Sequence, residues 1–147
     1  LVWDPILKAS AGYEIHKKFD KEKLISILKN VFLITPNTDE IKILSGENDE
    51  IKGAKALSKY CNVLLKGGHS IQNKGKDFLF TTQGDTFPFA IKKILVADKH
   101  GSGCVLSSAI TASLANGLSL QRSCLKGKDY VTKYLTSNKT LLGYHKI

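Results

Sequence analysis

Methionine is absent from this chain, arginine occurs once, and cysteine and proline occur three times each. The lack of methionine goes with an opening, "LVWDP", that reads as the end of a buried strand. Together they lead us to expect the C-terminal part of a longer protein. Cys61, Cys104 and Cys124 are too few, and odd in number, for a disulfide framework. That usage points to a reducing, cytoplasmic setting.

The lone arginine, Arg122, carries weight because the formal net charge is +9. Nucleic-acid surfaces draw on arginine forks and aromatic stacking platforms. Here the lysines are scattered among acidic residues, so the charge reads as a solvated surface and no nucleic-acid partner is expected. Such a surface is still compatible with a phosphorylated small molecule. No apolar run approaches a membrane span, so no membrane partner is expected either. What remains is ordinary for a globular protein: 42% hydrophobic and 24% charged residues. The length suits a single domain, 1–147, with its own core.

Leu1 to Trp3 read as a strand ended by Pro5, and 5–18 as irregular. Asp20 can cap a helix reaching about Asn30, with Leu24, Ile25, Ile27 and Leu28 as its apolar face. "VFLIT" (31–35) and "NVLLK" (62–66) read as short buried strands, with helices "NTDEIKILSG" and "DEIKGAKALSKY" between them. "QGD" joins "KDFLFTT" to "DTFPFAI" as a hairpin whose second arm, holding Pro88, belongs at an edge. "KKILVAD" (92–98) is a further candidate strand. Helices over 103–116 and 119–137 close the chain. The pattern predicts an α/β layered domain with a mostly parallel central sheet flanked by helices. Ligands of such sheets bind beyond the carboxyl ends of the strands.

Four short stretches lie at those ends. In "HGSGC" (100–104), two glycines bracket Ser102 before an apolar helix. Glycine admits close approach of backbone N–H groups to an anion, and the helix start adds its positive end. That makes an anion hole suited to a phosphoryl group, with a thiol, Cys104, beside it that could accept or share a proton. A glycine turn followed by a buried cysteine fits the five residues equally well. His100 lies on the loop side without a cysteine-protease signature. Cys61, Cys124, His69 and His100 lack paired zinc-ligand spacing.

In "TPNTDE" (35–40), Asn37 and Glu40 match a capping box, and equally an amide and a carboxylate that organise a hydrated magnesium ion. In "LLKGGH" (64–69), Lys66 with Gly67 and Gly68 reads as a turn with an exposed lysine, or as an ammonium laid against phosphates. Asp4 of "VWDP" caps a turn or adds negative charge near the same metal. Anion hole, lysine and carboxylates are together the parts for phosphoryl transfer from a nucleotide. No G-x-x-x-x-G-K-[ST] loop is present, which excludes a P-loop enzyme.

The ordered set "VWDP…SAG…ITPNTDE…LLKGGH…DFLF…HGSGCVLSSAI" resembles the C-terminal part of the hydroxymethylpyrimidine/phosphomethylpyrimidine kinases of thiamine biosynthesis. These belong to the ribokinase-like superfamily. The resemblance runs along essentially the whole chain, and "HGSGC" with "LSSAI" is its most specific piece. It implies a ribokinase-like fold with the N-terminal portion absent, ATP and Mg2+ as cofactors, and a pyrimidine as substrate. Gly101, Ser102, Gly103 and Cys104 would form the anion hole, with Cys104 as catalytic base. Asn37 would organise phosphate, and Lys66, Gly67 and Gly68 would lie near the nucleotide phosphates. Glu40 and Asp4 would serve the metal. Lys99 stands where threonine is usual, and Ser102 replaces a common threonine. A pyridoxal-type vitamin kinase and a non-catalytic nucleotide-binding fragment are the alternatives. Uncovered apolar sheet surface would favour association, a homodimer being the arrangement to test.

Overall fold

A computed structural model of the chain describes residues 1–7, 20–67, 75–90 and 99–145. Gly68, His69, the "SAG" stretch (10–12) and the candidate strand 92–98 lie outside the described residues. The chain divides into two compact units, Leu1–Ala90 and Ile91–Ile147.

The first unit is built on a five-stranded sheet in sequence order: β1 (Val2–Trp3), β2 (Leu33–Ile34), β3 (Asn62–Leu65), β4 (Lys76–Phe80) and β5 (Thr86–Ala90). β1, β2 and β3 pair in parallel, with Trp3 opposite Ile34 and Ile34 opposite Val63. β4 runs against both of its neighbours, so four of the five strands point the same way. The β4–β5 hairpin turns at Gly84, and Pro88 sits on the edge strand β5, where a missing N–H breaks no inner ladder.

Helices α1 (Lys21–Leu28), α2 (Thr38–Ser45) and α3 (Glu50–Leu57) belong to this unit. Each starts where a short acceptor side chain can take up free first-turn N–H groups: Asp20, Asn37 and Asp49. α1 buries Leu24 and Leu28, an i, i+4 pair. Ile27, assigned to the same face from its apolarity, is instead 47% exposed, because it lies a quarter-turn off that stripe. Leu28, Ile34, Ile41, Ala54 and Val63 are fully buried in one core cluster. A buried leucine or isoleucine of this kind contributes on the order of 2 kcal/mol.

The second unit holds α4 (Ser102–Ala115) and α5 (Leu120–Leu135), joined at Gly117. Leu106 and Ile110 of α4 face Gly127 of α5, where a Cβ would meet Ile110 Cγ1 at 2.6 Å. The missing side chain is what brings the two helices together. No helix among the described residues is long and apolar enough to cross a membrane.

Candidate active site

In the first unit the adjacent parallel strands β1, β2 and β3 bring their carboxyl ends side by side. Asp4 leaves β1, Thr35 leaves β2 and Lys66 leaves β3. The ladder extends past β3: Lys66 N donates to Pro36 O at 2.9 Å, and Asn37 bridges Lys66 in parallel. Lys66 Nζ lies 2.9 Å from Asp4 Oδ1 and 3.8 Å from Glu40 Oε2. Its side chain is only 17% exposed, so the reading of Lys66 as an exposed turn lysine does not hold. Thr35 Oγ1 donates to the same Asp4 oxygen at 2.9 Å. Asp4, Glu40 and Lys66, far apart in sequence, thus form one cluster.

The capping box is also real. Asn37 Oδ1 accepts from Asp39 N at 2.9 Å and Glu40 N at 2.8 Å, and Asn37 N donates to Glu40 Oε2 at 2.7 Å. The cap and the cluster share Glu40, so helix start and charged site are one construction. Burial pushes the Glu40 carboxyl above its ordinary range, against the opposing pull of Lys66 and the Asn37 N–H. Gly67 N is committed to Asp77 Oδ1 at 2.9 Å. Thr35 and Asp77 were not singled out by sequence. Their roles follow from strand register and the hairpin return, which no local motif encodes.

The donor set could hold a hydrated magnesium ion. Among the described residues, one oxygen each of Asp4 and Glu40 stays outside these bonds. Thr38 Oγ1, one residue past Asn37, is a buried hydroxyl without a partner. No group of three or more His, Cys, Asp or Glu that would hold an all-protein metal site occurs among the described residues. Magnesium commonly keeps its waters and takes one or two carboxylates beside phosphate oxygens.

In the second unit, Gly101 adopts the left-handed conformation, φ 74°, as N-cap of α4. Glycine takes this conformation without the Cβ penalty of other residues. Among the described residues no side chain caps α4, which leaves its first-turn N–H groups without a side-chain acceptor there. Ser102 and Gly103 are half-buried, and Cys104 is exposed, which overturns its reading as a buried core thiol. Cys61 and Cys124 are the buried cysteines, and burial pushes the Cys61 thiol up to about 12. Cys104 borders a cavity of about 580 Å³ that runs along α4 past Ser108, Ala112 and Asn116, with Lys126 and Tyr130 opposite.

The strand-end cluster of one unit and the glycine-led helix start of the other are carried on an α/β fold of the ribokinase-like class. The fold agrees: the chain superposes on ribokinase from Thermotoga maritima with a TM-score of 0.69 at 23% identity, covering 92% of this chain and 42% of that one. It matches pyridoxal kinase from Staphylococcus aureus in complex with ADP at a TM-score of 0.76 and 25% identity, covering 92% of this chain and 52% of that one. The phosphomethylpyrimidine kinase family model matches residues 1–146, and the chain belongs to that family. It is 35% identical to the hydroxymethylpyrimidine/phosphomethylpyrimidine kinase of Aquifex aeolicus, over 96% of this chain and 58% of that protein. The chain spans a little over half the length of the curated single-function kinases it matches.

Proposed function

We propose that this chain carries the nucleotide–phosphate side of an ATP-dependent kinase that phosphorylates hydroxymethylpyrimidine and then its monophosphate. The observation that carries the reading is the Asp4–Lys66–Glu40 cluster at the ends of three parallel strands, in a chain whose family match extends through Cys104. Lys66 neutralises phosphate charge, and its pairing with Asp4 holds the ammonium in place when no phosphate is bound. Asp4 and Glu40 would hold a hydrated magnesium ion, which when bound supplies charge neutralisation between nucleotide phosphates. Asn37 and Thr35 fix those carboxylates. The N–H groups following Gly101 stabilise charge on the moving phosphoryl group. Cys104 Sγ accepts the proton of the attacking hydroxyl. The setting is the cytoplasm, the unit of action a single kinase domain, and a homodimer the assembly to test.

Pyridoxal as the acceptor is the second reading, favoured by the structural match to a pyridoxal kinase. The test joins this chain to the remaining half of the Aquifex aeolicus relative and measures ADP formation with each acceptor. Pyrimidine-dependent turnover above pyridoxal-dependent turnover is expected. The reverse order selects the second reading, and no turnover with either contradicts both.

A further inference from the structure

Lys99 is 7% exposed, an ammonium taken almost wholly out of water. Its Nζ donates to Asn138 Oδ1 at 2.6 Å, Thr140 O at 2.7 Å and Asn138 O at 3.0 Å. Three donors meet three oxygens, and none of the three is a carboxylate. No carboxylate among the described residues pairs with this charge. Burying an unpaired ammonium is costly unless oriented dipoles replace its water. The cage is built for that. Asn138 Oδ1 is itself held by Thr140 N at 3.0 Å, and Asn138 Nδ2 donates to Leu142 O at 2.9 Å.

The cage grips the turn that precedes α4. Lys99 lies two residues before the left-handed Gly101. The intervening His100 is tied at both ends, its N donating to Leu141 O at 3.0 Å and its carbonyl accepting from Tyr134 Oη at 3.1 Å. A set of neutral carbonyl-type oxygens around one positive charge is the coordination chemistry of a monovalent cation. We propose that Lys99 is a tethered monovalent cation: its ammonium fills a carbonyl cage formed by Asn138 and Thr140, and so positions the anion-binding turn against the C-terminal segment. Lys99 is a positioning residue, acting through the turn at 100–104. The cage stands on geometry alone, while its consequence for phosphate binding rests on the kinase reading.

The test compares the chain with Lys99→Ala in potassium, methylammonium or tetramethylammonium chloride at equal ionic strength. The parent's unfolding midpoint is expected to be the same in all three. Lys99→Ala should lose about 5 °C or more in tetramethylammonium, which is too large for the cage. At least half of that loss should return in potassium or methylammonium. Lys99→Met, which keeps the bulk without the charge, should be destabilised in every salt. Lys99→Thr is read in the same way if Lys99→Ala does not fold. An unchanged midpoint overturns the proposal, as does a loss that no small cation reverses or that all salts reverse equally. Affinity for ADP with magnesium should fall on the order of tenfold in Lys99→Ala and recover with the same cations. Unchanged affinity beside a rescued midpoint overturns the positioning role. Absence of ADP binding in the parent counts against the kinase reading, and the midpoint still decides the cage.

Discussion

Lys66 faces two carboxylates at once, Asp4 at 2.9 Å and Glu40 at 3.8 Å. Lys66→Met would leave both without a cation in a mostly enclosed place. Removing one partner of such a pair costs more than the pair itself contributes. A loss of about 2–3 kcal/mol in urea unfolding is therefore expected. Glu40 adds a pH signature. Its carboxyl is raised, so the folded chain binds that proton more tightly than the unfolded chain does. The linked stability is then fully present at low pH, and falls as pH rises from the ordinary value of 4.5 through the raised folded value. Glu40→Gln, whose amide oxygen still accepts the Asn37 N–H, should flatten that fall in a pH series of urea titrations. The cysteines give a third check. A thiol reagent should modify exposed Cys104 rapidly in the folded chain, and buried Cys61 and Cys124 only in denaturant. Cys104→Ala should abolish the rapid phase.

At the scale of elements, helix ends were the most readable part of the sequence. Asn37 with Glu40, and Gly46 in the left-handed conformation, bound α2 as "NTDEIKILSG" suggested. The QGD hairpin and the edge position of Pro88 were equally legible, since turn chemistry and the missing N–H act locally. Register was not legible. That Asp4 and Thr35 share a hydrogen bond depends on Trp3 lying opposite Ile34, a long-range fact. In the sequence Lys99 stands out only as a departure from threonine, because its partners lie 39 and 41 residues away. The α4–α5 contact depends on Gly127 in the same non-local way. Gly127→Val would drive a side chain into Ile110, whose Cγ1 is 2.6 Å and whose backbone N is 3.4 Å from the new Cβ. Overpacking of this kind should cost about 1–3 kcal/mol, read as a lowered thermal midpoint.

At the scale of the whole molecule, the family match runs from residue 1 to 146 and so spans both compact units. Four weak signals in sequence became one argument because three of them, Asp4, Glu40 and Lys66, converge at neighbouring strand ends of a single sheet. The fourth, Gly101 to Cys104, opens α4, whose N–H groups no side chain among the described residues caps. The central claim is that this chain holds the phosphate side of a kinase site. Calorimetric titration of ADP into the chain, with and without magnesium and against Lys66→Met, tests it most directly. Saturable binding that strengthens with magnesium, and weakens by on the order of tenfold in Lys66→Met, is the result predicted. Binding indifferent to both magnesium and Lys66, or no binding at all, would contradict it.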